Sequence, residues 1–277
     1  MTENLLVARG IEVTYGAGRG LLRNPGHRVL HGVDVTVGRG ETVGIVGESG
    51  SGKTTLGRAL LRLVDVSAGE IRFDGADITH LPDQQMRPLR RRMQMIFQDP
   101  MASLNPRHSI RRILVEPLLL HGLARDGRQA ESLVLDILDR VTLPKIVLER
   151  SPHELSGGQR QRIGIARAAL LRPDFVLADE IVSGLDVSTQ AQVLNLLKDL
   201  SRDLGLAMAF ISHDLSVIRA VCDRVYVMRF GKVVEEGPCE QVFSAPRTAY
   251  TRALLDAIPL PEIDPDWLLR ESLVEDA

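Results

Sequence analysis

The sequence has few cysteines, few aromatic residues and almost no net charge. Its two cysteines, Cys222 and Cys239, lack a C-x-x-C spacing, so we expect buried, inert thiols in a reducing compartment. A net charge of −2 over 277 residues provides no overall attraction to nucleic acid or to an anionic membrane. We therefore expect a globular protein that has no nucleic-acid partner.

Long apolar runs are also absent. No stretch approaches the roughly 18 apolar residues that a membrane-spanning helix requires. The first five residues, Met1 to Leu5, lack the basic and then apolar pattern of a signal peptide. We therefore expect a cytoplasmic chain, unless a partner holds it at a membrane. The length suits a single α/β unit that carries an inserted subdomain.

The sequence does contain a glycine-rich loop between a predicted strand at 42–46 and a predicted helix at 54–64. The loop matches the phosphate-binding pattern G-x-x-x-x-G-K-[ST], with the residues Gly47, Glu48, Ser49, Gly50, Ser51, Gly52, Lys53 and Thr54, followed by Thr55. Its glycines allow a nucleotide to approach the backbone closely, and the helix begins with its positive end at the anion. Lys53 would reach the β- and γ-phosphates, and Thr54 would offer its hydroxyl to Mg²⁺. The alternative is an ordinary glycine turn before a helix.

A second candidate site follows the apolar run at 175–178, which is typical of a buried parallel strand. Asp179 comes directly after this run and could hold Mg²⁺ through a bound water. Glu180 is then placed to orient and deprotonate an attacking water. Alone, two acids after a strand are better interpreted as an ordinary strand end. Their position downstream of the glycine loop favours the nucleotide site.

A third motif lies between these two and precedes a predicted helix at 159–171. Its residues are Leu155, Ser156, Gly157, Gly158 and Gln159. Ser156 and Gly158 lie at the helix N-terminus, where backbone N–H groups and the helix dipole favour an anion. A capped helix start is the plainer alternative. We interpret the motif as facing the phosphate of a nucleotide that a second subunit holds.

The remaining pattern predicts the fold class. Short apolar runs at 207–211 and 225–228 resemble the run at 175–178, and a helix is predicted at 187–200 between the first two of these strands in chain order. This alternation of strands and helices predicts a parallel sheet covered by helices. β-rich segments at 4–15 and 29–37 and a hairpin at 69–78 come earlier in the chain. Residues 100–160 have helical periodicity and interrupt the α/β pattern.

On these motifs the chain resembles an ABC-type ATPase over nearly all of its length. The resemblance implies an α/β fold: a P-loop NTPase (RecA-like) core with an antiparallel β subdomain, an inserted helical subdomain at about 100–160 and a short C-terminal extension. The ABC ATPase domain would span 1–240 and the extension 241–277. ATP and Mg²⁺ are the implied cofactors. Because residues 240–277 contain no cysteine, the iron–sulfur site of some relatives is not expected.

The resemblance also assigns roles to single residues. Tyr15 corresponds to the aromatic residue that stacks on adenine, and the alternative is a packing residue at the end of a strand. Gln98 corresponds to the glutamine that senses Mg²⁺ and the attacking water. Asp186 lies in the loop that crosses to the partner subunit, and His213 matches the histidine that contacts the γ-phosphate. Two positions depart from the family pattern: Ile181 replaces the usual proline after the catalytic glutamate, and Gly184 replaces a usual alanine.

Longer runs indicate a subfamily. Residues 97–107, 152–155 and 249–255 resemble oligopeptide/dipeptide importer ATPases, and 57–63 with 20–23 resemble the second ATPase subunit of such systems. The implied partners are a sister ATPase subunit in a heterodimer, two transmembrane permease subunits docked near Gln98 to Arg107 and, indirectly, an extracytoplasmic solute-binding protein. The chain would then lie at the cytoplasmic face of the membrane. The cargo stays open among peptides, nickel chelates and opines.

Two alternatives of other classes remain at this point. One is a regulatory or nucleic-acid-associated ABC ATPase without a permease, which would usually have two cassettes or a long coiled-coil insertion. The other is an idle subunit that binds ATP while its sister hydrolyses it. Glu180 and His213 argue against the idle subunit, and Ile181 leaves room for it.

Overall fold

The computed structural model describes residues 3–16 and 26–257. The predictions for 20–23 and for the end of the extension, 258–277, lie outside these residues. The strands are, in chain order, β1 (Asn4–Tyr15), β2 (His27–Gly38), β3 (Thr42–Val46), β4 (Ala68–Phe73), β5 (Ala76–Asp77), β6 (Met93–Ile96), β7 (Phe175–Asp179), β8 (Ala207–Ile211), β9 (Arg224–Arg229) and β10 (Lys232–Pro238).

The helices frame two sheets. They are α1 (Lys53–Leu60), α2 (Asp83–Arg92), α3 (Pro100–Ser103), α4 (Ile110–Leu120), α5 (Gly127–Arg140), α6 (Gly157–Leu170), α7 (Val187–Leu204), α8 (Leu215–Val221), α9 (Cys239–Ser244) and α10 (Ala249–Asp256), with 3-10 turns at Lys145–Glu149 and Pro152–Glu154. In the part of the chain that the structure describes, no helix combines the length and apolar character needed to cross a bilayer.

The larger sheet has six strands in the order β10-β9-β3-β8-β7-β6. Its pairings are parallel except for β10, which runs antiparallel to β9. Strands β3, β7 and β8 are buried along their whole length, which explains why they appear in the sequence as continuous apolar runs. Their carboxyl ends share one edge, the usual ligand-binding edge of such sheets.

Neither α2 nor β6 is among the elements that the sequence predicts. Strand β6 pairs in parallel with β7, Met93 opposite Phe175 and Ile96 opposite Ala178. It is only four residues long and follows a strongly basic helix, so it has no clear periodicity of its own. This strand brings residues 97 and 98 to the edge where β7 ends.

The smaller sheet is antiparallel, in the order β2-β1-β4-β5. Helix α1 lies between the two sheets, because Leu56 and Leu60 share one buried core with Val13 of the smaller sheet and Ile45 of the larger one. The glycine loop that precedes α1 is therefore fixed from both sides.

The segment 100–170 is helical and packs as one unit. Leu114, Leu138 and Ile163 from three of its helices are fully buried together. Side chains of Ser109 and Asp126 cap two of these helices by accepting backbone N–H groups of the first turn.

Candidate functional site

The loop from Gly47 to Gly52 connects β3 to α1 and is fixed to the turn between β9 and β10. A Cβ on Gly47 would lie 2.2 Å from the carbonyl oxygen of Met228, and Gly47 has φ +146°. The backbone N–H of Gly231 donates to the Ser51 carbonyl at 3.0 Å. These contacts require glycine at 47 for both space and conformation.

This close approach predicts a difference between two loop glycines. Gly47→Ala should lower the free energy of unfolding by about 2–4 kcal/mol, because it combines backbone strain with an overlap onto a carbonyl. Gly50, at φ +79°, has no atom within 4 Å of its Cβ position. Gly50→Ala should therefore cost only the conformational penalty of about 1–2 kcal/mol. Urea unfolding measures both, and equal losses would contradict the overlap.

Lys53 is folded onto its own loop. Its ammonium donates to the Gly47 carbonyl at 2.8 Å and the Glu48 carbonyl at 2.9 Å. Burial lowers its pKa, and the nearby carboxylates of Glu180 and Asp179 oppose that shift. The lysine is thus a buried cation held at the centre of the loop by neutral acceptors.

Among the residues that the structure describes, the start of α1 leaves backbone donors unpaired beside this lysine. Its helical hydrogen bonds begin with the N–H of Leu56, which donates to the Gly52 carbonyl at 2.8 Å. The N–H groups of Lys53, Thr54 and Thr55 precede that bond and belong to the unpaired first turn. Within the described ranges, the Ser51 hydroxyl is buried without a hydrogen-bond partner. Free donors and a cation around a glycine loop fit the phosphates of a nucleotide.

Thr54 and Asp179 meet although they are far apart in the chain. The Thr54 hydroxyl donates to Oδ1 of Asp179 at 3.2 Å. Burial raises the pKa of Asp179, and the bond from Thr54 partly offsets this. In residues 3–16 and 26–257 no three His, Cys, Asp or Glu side chains cluster as a metal site. A hydroxyl with one carboxylate fits Mg²⁺, which usually completes its shell with phosphate oxygens and water.

Glu180 lies at the centre of a second group of predicted site residues. Its Oε2 accepts from Nε2 of Gln98 at 3.0 Å, and Nδ1 of His213 lies 3.6 Å from the same oxygen. The carboxylate is partly buried and His213 is largely exposed. Glu180, Ser183 and His213 line a cavity of about 130 Å³. A water in this cavity would have a carboxylate and an imidazole within reach.

The backbone of Glu180 is in the left-handed region, at φ +48°. Its N–H donates to the Ile211 carbonyl at 2.9 Å, and its carbonyl accepts from the N–H of Ser183 at 3.1 Å. The next side chain, Ile181, is 1% exposed. Hydrogen bonds and burial thus fix the turn in place of a proline ring, and such strain persists only where the surroundings hold it.

The third motif, at 155–159, lies on the same face of the protein as Asp186. Ser156 and Gln159 form a reciprocal cap at the start of α6, with Leu155 buried behind it and Gly157 open. A Cβ on Gly158 would lie 2.9 Å from the methyl group of Thr189. Thr189 in turn donates to Asp186, once through its backbone and once through its hydroxyl.

The Asp186 carboxylate caps α7 and is exposed. Hydrogen bonds from Ser188 and Thr189 hold its pKa well below the ordinary range. Within the described residues, no hydrogen bond or ion pair joins this face to the loop 47–54. The structure therefore brings together two groups of predicted residues, one around Lys53 and Glu180 and one around Ser156 and Asp186.

Tyr15 lies at the end of β1 and is 42% exposed. Two positions earlier, Val13 pairs with Leu30, whose methyl group lies 3.0 Å from the Cβ position of Gly52. This end of the smaller sheet is therefore next to the glycine loop. An exposed ring here is free to stack on a base.

Two residues at the site were not predicted as functional. The Ser183 hydroxyl accepts from Gln98 at 3.4 Å, and the Tyr250 hydroxyl accepts from the backbone N–H of Glu48 at 3.2 Å. Tyr250 lies in the run 249–255 that resembles importer ATPases, but no local pattern indicates its contact with Glu48, which is 202 positions away.

Several known proteins are similar to this chain in sequence and in fold. Residues 30–183 match the model of the family described as ABC transporter, and residues 234–275 match that of the oligopeptide/dipeptide transporter C-terminal region. A Brucella ovis protein named for peptide import and ATP binding is 53% identical over 96% of this chain and 82% of its own. The oligopeptide transport ATP-binding protein OppF of Bacillus subtilis is 44% identical over 96% of this chain and 86% of its own.

Solved structures confirm the predicted fold class. The chain is similar to cbiO1 of Clostridium perfringens, part of an ABC transporter complex, with a TM-score of 0.76 and 26% identity over 88% of this chain and 92% of that one. It is also similar to the ATP-binding cassette MJ0796, which was solved as a dimer bound to ADP and phosphate. The TM-score is 0.74, with 28% identity over 84% of this chain and 98% of that one.

Proposed function

Because this chain belongs to the ABC transporter family of ATP-binding proteins, we propose that it is the ATP-hydrolysing subunit of a membrane importer for peptides or similar small solutes. The observation that carries the proposal is the group around Glu180, since Gln98 and His213 meet its carboxylate beside the glycine loop at 47–54, the proposed phosphate loop. The match of residues 234–275 to the oligopeptide/dipeptide transporter region supports the peptide cargo.

The proposed reaction is hydrolysis of ATP to ADP and phosphate. Lys53 and the N–H groups at the start of α1 would bind the phosphates. Thr54, Asp179 and Gln98 would hold Mg²⁺, which would supply positive charge against the phosphates. Glu180 accepts a proton from the water that attacks the γ-phosphorus, and the bond to the bridging oxygen breaks. His213 would donate to the γ-phosphate and orient it.

We propose that each complete site is shared by two subunits. The exposed face of Ser156, Gly158 and Asp186 would close over a nucleotide held at Lys53 of the partner. The separation of the two groups within one chain supports this arrangement, and so does the dimer of the similar cassette MJ0796. A non-identical sister ATPase is the proposed partner.

The proposed permease site is a groove of about 730 Å³ between the larger sheet and the helical segment. Phe97, Ser103 and Asn105 line it, so it includes part of the segment expected to meet a permease. Leu63 and Leu120 at its rim are 48% and 67% exposed. An amphipathic helix of a permease would bury these side chains. The chain would then be peripheral at the cytoplasmic face, and the solute-binding protein would act only through the permease.

This assignment predicts the effect of a single charge in the groove. Leu120→Glu should reduce co-purification with the permease subunits by about tenfold or more, because docking would bury an unpaired carboxylate. Ile146→Glu is the matched control, since Ile146 is 59% exposed and does not line the groove. Affinity purification from detergent-solubilised membranes measures both. Equal recovery of permease with the two variants would contradict docking at this groove.

The proposed function is tested by ATPase activity and by its partners. We expect the purified chain to hydrolyse ATP, and the chain tagged in its own cells to co-purify with hydrophobic permease subunits. Purification with nucleic acid and no permease would favour a regulatory ATPase. ATP binding without hydrolysis, in the isolated chain and beside its sister, would favour the idle subunit. Growth on defined peptides as sole nitrogen source, with and without the gene, tests the cargo.

A further inference from the structure

The last described helix, α10, reaches back to the phosphate loop. The Tyr250 hydroxyl accepts from the N–H of Glu48 at 3.2 Å and lies 3.5 Å from the Met228 carbonyl oxygen, to which it donates. That carbonyl is the one against which Gly47 packs. One hydroxyl therefore bridges the loop to the strand beside it.

The peptide unit between Gly47 and Glu48 is held at both ends. Its carbonyl oxygen accepts from the Lys53 ammonium at 2.8 Å, and its N–H donates to Tyr250. Lys53 is also the residue that would turn to the phosphates when ATP binds. The bond to Tyr250 then remains to fix the orientation of this peptide unit.

Tyr250 is itself held in place. The guanidinium of Arg229 lies 4.7 Å from the centre of its ring, in cation–π geometry. Leu254 and Leu255 of the same helix pack against the buried core that includes Val46, the last residue of β3 before the loop. The Tyr250 ring therefore belongs to a helix that packs against the core.

A buried carboxylate anchors the start of α10. Glu235 is 7% exposed, and its two oxygens accept from the backbone N–H groups of Arg247 at 2.7 Å and Thr248 at 3.0 Å. Thr248 then caps the helix by accepting from the N–H of Thr251. The helix is thus fixed at its start by Glu235 and touches the loop through Tyr250.

We propose that α10 positions the phosphate loop for nucleotide, with Tyr250 as the positioning residue. This inference rests on the proposed function, because it concerns the same ATP site. Loss of one hydrogen bond to the loop should weaken ATP binding about three- to tenfold. Hydrolysis at saturating ATP should change much less, since Tyr250 contacts none of Glu180, Gln98 or His213.

The test is Tyr250→Phe in the full chain, which removes only the hydroxyl. We expect the Kd for MgATP to rise about three- to tenfold and amide hydrogen exchange to speed up in peptides covering 47–53, with β7 unchanged. Tyr226→Phe is the matched control, because its buried hydroxyl bonds Thr36, away from the loop. That variant should lose stability and keep its ATP affinity and its loop exchange.

A second variant distinguishes the contribution of helix α10 from that of the Tyr250 hydroxyl. Glu235→Gln keeps one acceptor oxygen and places an amide N–H₂ against a backbone N–H, so α10 should loosen and ATP affinity should fall in the same direction. In the double variant with Tyr250→Phe the two losses should not add, because both act through one contact. Wild-type affinity and loop exchange in Tyr250→Phe would overturn the inference. A wild-type chain that binds no MgATP would instead overturn the proposed function.

Discussion

Glu180→Gln should abolish most ATP hydrolysis and leave ATP binding intact. The amide keeps the size of the side chain and can still contact Gln98, but it cannot accept a proton from the attacking water. Removal of a general base typically costs about 10²- to 10⁴-fold in rate. Since ATP would still bridge two subunits, the variant should accumulate as a dimer in the presence of MgATP. Phosphate release and light scattering after size exclusion measure the two effects.

The matched control for this variant is Glu240→Gln. It makes the same change of charge at an exposed position in the first turn of α9, away from the site. We expect wild-type hydrolysis and no persistent dimer. Full turnover by Glu180→Gln would remove Glu180 from its proposed role.

Lys53→Ala should weaken ATP binding by about 10- to 150-fold. The estimate follows from the loss of hydrogen bonds between an ammonium and phosphate oxygens, each worth about 1.5–3 kcal/mol in proteins. The ammonium already lies at the loop, so ATP binding requires only a turn of its side chain from the Gly47 and Glu48 carbonyls to the phosphates. Titration of the full chain with MgATP measures the change.

Lys198→Ala is the control for that experiment, because Lys198 is an exposed cation on α7. It should leave the Kd for MgATP unchanged. Thermal unfolding of both variants separates a loss of affinity from a loss of fold, since Lys53→Ala also leaves two carbonyls without their donor. An unchanged Kd in a folded Lys53→Ala variant would contradict the phosphate role.

Much of the site could be predicted from the sequence because most of its candidate residues lie in short, contiguous segments. The loop 47–54, the acids at 179 and 180 and the segment 155–159 each combine a residue type with a local element that a few neighbouring positions specify. The same is true of the buried parallel strands, whose apolar runs at 42–46, 175–178 and 207–211 match the observed elements closely.

Strand β6 could not be predicted in this way. Four residues are stable as an edge strand only because β7 lies beside them, and that pairing is a long-range contact. Through β6, Gln98 reaches Glu180, 82 positions away. The resemblance to a family implied a role for Gln98, whereas its contact with the carboxylate depends on the order of strands in the sheet.

The sequence by itself determined which groups are available for the proposed roles: a lysine and N–H donors for phosphate, a hydroxyl and a carboxylate for a metal, and a carboxylate with a histidine for a water. Tertiary structure decided how these groups are held. The left-handed turn at Glu180 is stable because Ile211 and a buried Ile181 fix it. The hydroxyl of Tyr250 reaches Glu48 because α10 packs against the core that includes Val46 at the end of β3. Such contacts join residues far apart in the chain, and local propensity does not encode them.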